Sequence, residues 1–130
     1  MTDASGSPTA RQFIDRFTRA SADDDHALLG GCFADVFLAG DADGVRPVPR
    51  DLFLAAVPQR RKAFADAGMG QSSLTSYTAS ELDDHYVLIR TEWTAPRLNG
   101  GDPVELSSSF LVYRGTGPGI AVAYLNHRGL

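Results

Sequence analysis

Residues 86–127, YVLIRTEWTAPRLNGGDPVELSSSFLVYRGTGPGIAVAYLNH, decide the fold. Three largely apolar runs, Tyr86–Ala95, Val104–Arg114 and Ile120–His127, are separated by Leu98-Asn99-Gly100-Gly101-Asp102 and Gly115-Thr116-Gly117-Pro118-Gly119. Glycine and asparagine tolerate the positive φ that tight turns require, so the stretch predicts three antiparallel strands in a meander. Alternation assigns their faces. Val87, Ile89, Thr91 and Trp93 share one side of the first strand, against Tyr86, Leu88, Arg90 and Glu92. In the second, Val104, Leu106, Phe110 and Val112 oppose Ser107, Ser109, Leu111 and Tyr113; in the third, Ala121, Ala123 and Leu125 oppose Ile120, Val122 and Tyr124. Neither side is uniformly polar, as a solvated sheet face would be. Helices can cover one side only, so the other predicts a homodimer packed through the sheet.

Upstream of the meander the period is helical. Pro8 and Thr9 open a helix: Thr9 and Gln12 have capping-box spacing, and Pro8 lacks an N–H that would need a partner. Phe13, Ile14, Phe17 and Ala20 form its apolar stripe, and it ends near Ala22. Asp23-Asp24-Asp25-His26 resembles an acidic metal cluster, but an apolar helical run follows at once. Capping of a second helix, about Asp25–Phe33, explains those carboxylates better. Val36–Ala39 reads as a short strand, and Gly40-Asp41-Ala42-Asp43-Gly44 as a turn. Pro47 and Pro49 keep the next segment extended. A third helix opens near Arg50 and Asp51, is kinked or split at Pro58, and ends at Gly68 and Gly70. From Gln71 the period becomes two, giving a strand at Leu74–Ala79. The fold class is therefore α+β: about three N-terminal helices packed on a mainly antiparallel sheet. Residues 1–8 read as a flexible N-terminus and 9–130 as one domain.

Composition narrows the function. The chain has 130 residues, 43% of them hydrophobic, and a formal charge of −4. That balance argues against a nucleic-acid partner, which selects for a basic face. No run is long enough to span a bilayer and no N-terminal segment resembles a signal peptide, so the expectation is a cytoplasmic protein without a membrane partner. Cys32 is the only cysteine, set in an apolar helical pattern and read as a buried thiol. There is no zinc spacing, no Gly-x-Ser-x-Gly elbow and no phosphate loop; the Gly115–Gly119 run precedes a strand, not a helix. No metal and no cofactor are expected.

The order of elements, the ending Phe110-Leu111-Val112-Tyr113-Arg114, a Gly-rich turn and Ala121-Val122-Ala123-Tyr124-Leu125-Asn126-His127 resemble the nuclear transport factor two-like superfamily. Phe33-Ala34-Asp35, Arg50-Asp51 and Trp93 add local patterns to a resemblance spanning Thr9 to His127. It is similar to the SnoaL-like cyclases and ketosteroid isomerases of that group. The resemblance implies a curved sheet wrapped on a long helix, a cystatin-like cone with a central apolar pocket, and a dimer across the outer sheet face. It also allows a residue-level comparison. Phe17 stands where the isomerases carry an oxyanion-hole tyrosine, Ser109 where they carry a protonated aspartate, and Asp41 near their general base. Phe17 cannot donate a hydrogen bond and Ser109 is a weak donor, which argues against steroid-type isomerisation. The histidine pair of scytalone dehydratase, another member of that group, is not evident, because His85 and His127 lie near strand ends.

The expected pocket wall is Phe17, Thr91, Trp93, Ser107, Ser109, Leu111 and Tyr113, with the third helix opposite. Inward-facing Ser107 and Ser109 need partners from each other, water or a ligand. Tyr77, Tyr113, Arg60 and His127 are possible helpers. Asp41 is the candidate base, if burial raises its pKa and a substrate proton is within reach. The leading reading is a protein that binds a largely apolar small molecule as a homodimer. The alternatives are a cofactor-independent isomerase, dehydratase or cyclase using Asp41, and a non-catalytic dimerisation or accessory domain.

Overall fold

The structure, a computed structural model, describes residues 8–115 and 118–128. The Met1–Ser7 segment and Thr116-Gly117 of the second Gly-rich turn lie outside the described residues. The elements run α1 (Pro8–Asp23), α2 (His26–Gly30), β1 (Phe33–Asp41), β2 (Gly44–Pro49), α3 (Arg50–Asp66), β3 (Ser73–Glu81), β4 (Tyr86–Ala95), β5 (Val104–Tyr113) and β6 (Ile120–Arg128). The strands form one sheet in the order β2-β1-β6-β5-β4-β3. Only β1 and β6 pair in parallel; the other neighbours are antiparallel. The result is an α+β cone.

The expected meander is present, and α1 buries the expected stripe with Ala10 added to it. Three differences have local causes. The second helix is shorter than the pattern implied, because Gly30 and Gly31 are poor helix formers. Cys32 instead accepts at its carbonyl from the Ala121 N–H (2.7 Å), which starts β1 beside β6. Asp25 does cap α2, its Oδ1 accepting from the Leu28 N–H at 3.0 Å. The segment holding Pro47 and Pro49 is a strand, β2, at the sheet edge. Two residues apart, the prolines place their missing N–H groups on one side, leaving the other side free to pair with β1.

The third difference is α3, which runs unbroken through Pro58. Its end is built by Gly68, whose φ of +83° suits the left-handed region. The Gly68 N–H donates to the Ala65 carbonyl and the Met69 N–H to that of Phe64, a Schellman closure. Val57 is the only fully buried residue of α3, while Phe53, Leu54 and Phe64 are half-buried. The helix has an apolar side that the sheet does not cover. A space therefore lies between α3 and the strands.

The main core fills the rest of the concave side. Phe13, Phe17, Phe33, Phe37, Val87, Ile89, Phe110 and Val112 are buried together there. None of the described helices is long and apolar enough to cross a membrane.

Candidate functional site

The space under α3 is a cavity of about 410 Å³. That lies within the roughly 300–1,000 Å³ usual for small-molecule sites. Phe17 and Ser21 of α1 wall one side, and Phe53, Val57, Arg60, Arg61 and Phe64 of α3 another. Met69, Gly70, Gln71 and Ser72, which connect α3 to β3, close the end. The sheet contributes Trp93, Leu106, Ser107, Ser108, Tyr124 and Asn126. Phe17, Leu29, Val57, Met69, Ser107 and Ser108 are buried and form the floor; Arg60, Arg61, Gln71 and Leu98 are exposed and frame the mouth.

An aromatic cluster backs one side of the cavity, with Phe17, Trp93 and Tyr124 reaching the wall. The Phe17 ring lies 4.9 Å from Phe110, 5.9 Å from Trp93 and 6.3 Å from Tyr124, each edge to face. Tyr124 stacks flat on Phe110, with centroids 4.7 Å apart and planes 4° from parallel. Such pairs hold rings in defined orientations. Beneath them lies a closed polar network. Thr91, 0% exposed, donates through Oγ1 to the Ser108 carbonyl (3.0 Å) and accepts from Trp93 Nε1 (2.7 Å). Ser108 Oγ lies 2.7 Å from the same hydroxyl. This fixes the indole against the sheet.

The Tyr124 hydroxyl reaches the cavity wall with Asn126, Arg60 and Ser108 in hydrogen-bonding contact. Burial pushes its pKa above the ordinary tyrosine value; the Arg60 guanidinium and the three hydrogen bonds offset only part of that. The phenol is a neutral donor at physiological pH. Arg60 also lies over the Phe53 ring, 6.0 Å from its centroid. Arg61 is engaged elsewhere, donating to the Ser21 carbonyl (2.8 Å) with its Nε 3.6 Å from the Asp24 carboxylate.

Of the residues expected to line a pocket, Phe17, Trp93 and Ser107 reach the cavity. The Ser107 hydroxyl, however, donates to Glu92. Thr91 lies behind the wall, in the network under Trp93. Ser109, Leu111 and Tyr113 belong to the opposite side of the sheet. Cross-strand partners share a face, and β4 pairs Thr91 with Ser108 and Trp93 with Leu106. The concave face of β5 is therefore Leu106, Ser108 and Phe110. On the convex face Ser109 Oγ meets His127 Nε2 at 2.9 Å, and Tyr113 pairs with Tyr86 at 5.4 Å. Asp41 ends β1 in the hairpin to β2, exposed, its Oδ1 accepting from the Asp43 N–H at 2.9 Å. It is a turn-forming residue outside the cavity. Cys32 is buried, and burial pushes its thiol up to about 11 against a smaller opposing effect of Arg16, so it is no nucleophile.

Tyr124 and Asn126 are the residues that simple alternation misplaces. Val112 pairs with Ala121 and Leu111 with Ala123, so β6 carries one extra residue, Val122. That bulge turns Tyr124 to the side of Ala121, where strict alternation put it opposite. Ser108, central in Ser107-Ser108-Ser109, reaches the cavity where its two neighbours are the residues the sequence suggests. The register of Thr91 on the adjacent strand is the signal that singles it out.

No protein-family model matches the sequence, and no curated protein matches it. Solved structures do. A nuclear transport factor two-like protein of unknown function from Pseudomonas putida superposes with a TM-score of 0.72 at 14% identity, over 98% of this chain and 89% of its own. One from Shewanella oneidensis gives 0.71 at 14% identity, over 95% and 99%. A third, from Novosphingobium aromaticivorans and described as having a cystatin-like fold, gives 0.69 at 16% identity, over 90% and 77%. At these identities the likeness speaks for architecture, and it covers nearly the whole chain: this protein has the cystatin-like α+β cone fold of the nuclear transport factor two-like superfamily.

Proposed function

We propose that the protein binds a largely apolar small molecule in the cavity beneath α3. The observation that carries this is the floor itself. Buried Phe17, Leu29, Val57 and Met69 face about 410 Å³ of space that no side chain fills. Leaving apolar surface open forgoes burial worth roughly 25 cal/mol per Å², and an apolar guest recovers it. Among the described residues the wall holds no carboxylate and no histidine. Its polar groups are donors suited to orienting a ligand, and Asp41 has no contact with the space. Binding is therefore favoured over proton transfer by Asp41.

Trp93 is the only tryptophan of the chain and lines the cavity, so its emission reports occupancy. Titration with octan-1-ol, a neutral apolar probe, is expected to change that emission saturably. Val57→Phe, which pushes a ring into the cavity from α3, is expected to weaken the response at least about tenfold, the equivalent of roughly 1.4 kcal/mol. A linear, non-saturating response in the parent protein would overturn the reading.

A second observation bears on assembly. The convex sheet face exposes Leu38 (46%), Leu88 (37%) and Leu125 (37%), beside the Tyr86–Tyr113 pair. We read this surface as the contact of a homodimer. It leaves the cavity, on the other side of the sheet, open to ligand.

A further inference from the structure

We propose that the ligand is an organic acid: an apolar body in the cavity and a carboxylate held at its wall by Arg60, Tyr124 and Asn126. The inference rests on the binding reading above and adds the class of ligand.

The first argument is charge. The chain as a whole carries a formal −4, yet the cavity wall has two guanidinium groups and, among the described residues, no acidic side chain. An anion entering this space meets attraction with no carboxylate on the wall itself. The two arginines differ. Arg61 already has the Ser21 carbonyl and the Asp24 carboxylate. Arg60 has no ion-pair partner among the described residues; its contacts are the Phe53 face and the Tyr124 hydroxyl. A guanidinium offers five N–H donors in a fixed fork that matches a carboxylate, and one phenol oxygen uses few of them.

The second argument is the excess of donors. The Arg60 guanidinium and the Asn126 amide both approach the Tyr124 hydroxyl. Acceptors there are fewer than donors. A ligand that brings acceptor oxygens satisfies such a set, and one that brings N–H or ammonium groups does not. Burial keeps the Tyr124 phenol protonated, so it remains a donor toward an anion.

The third argument is shape. The same wall carries apolar Phe17, Val57, Phe64 and Leu106 beside these donors. A polar head with an apolar body matches that division, and a small inorganic anion would leave the apolar part empty.

The test uses the full chain at pH 7 and reads Trp93 emission with two probes of equal length, octanoate and octan-1-ol. Octanoate is expected to bind at least about tenfold tighter, the scale of one added charge-assisted contact. Arg60→Gln removes the cation at an exposed helical position and is expected to reduce that preference to below about twofold. Lys62→Gln removes a cation from the same helix outside the cavity and is expected to retain it. Tyr124→Phe keeps the ring on Phe110, loses the donor, and is expected to narrow the preference as an independent check. Equal binding of both probes by the parent protein overturns the acid and leaves the apolar-binding reading standing. So does a preference that survives Arg60→Gln, or one lost equally in Lys62→Gln. If neither probe binds, both readings fall.

Discussion

Tyr124 concentrates the site's chemistry in one side chain. Its ring belongs to the aromatic floor and its hydroxyl to the polar cluster with Arg60, Asn126 and Ser108. Burial disfavours the phenolate, so the folded protein holds this proton to higher pH than the unfolded chain does. The sign of the linkage follows. Stability from the buried phenol is complete below the ordinary tyrosine pKa of about 10 and is lost as pH rises through the folded value. Urea unfolding followed from pH 8 upward is expected to show an alkaline loss that Tyr124→Phe diminishes. An unchanged profile in the variant would show that the hydroxyl is solvated. At this scale the sequence was partly legible. Phe17 and Trp93 are identifiable from period and type alone. Tyr124 is not, because its orientation depends on one extra residue, Val122, and a bulge leaves no mark in composition. Thr91, expected in the wall, is a buried support for Trp93; its hydroxyl points at a partner chosen by strand register.

Among the elements, α3 matters most, because its stand-off from the sheet creates the cavity. It is also the least well-made helix. Pro58 lies inside it, lacks an N–H and leaves the Leu54 carbonyl without its usual partner. The sequence predicted a kink or a split there, and the helix instead continues for two more turns to a Schellman end. Both flanks are anchored: Arg50 Nη1 donates to the Phe33 carbonyl (3.3 Å), and Gly68 accepts from the Leu98 N–H (2.8 Å). Tertiary contacts at the ends override a local penalty of about 3 kcal/mol. Because Pro58 is exposed, Pro58→Ala is expected to raise unfolding stability by about 1–3 kcal/mol, measured by urea denaturation. A loss of stability would show that the proline shapes the helix. The strands were easier to read. β4, β5 and β6 followed from turns and alternation, while β2 was hidden by two prolines that an edge strand tolerates.

Across the whole molecule, one sheet has two apolar sides with different uses. The concave side carries the core and the cavity, and the convex side carries Leu38, Leu88, Leu125, Tyr86 and Tyr113. The mixed character of both faces was visible in the sequence, and the dimer proposal comes from it. Light scattering at micromolar concentration is expected to give twice the chain mass. Leu88→Arg combined with Leu125→Arg is expected to give the chain mass, with octan-1-ol binding retained. A monomeric parent protein would remove the dimer from the account and leave the cavity untouched.

The most direct measurement is a crystal structure of the full chain grown with octanoate. The account predicts one octanoate per chain in the cavity beneath α3, its carboxylate on Arg60 and Tyr124, its tail against Phe17 and Val57. A cavity closed by inward movement of Phe64 or Leu98, with no octanoate inside, would contradict it.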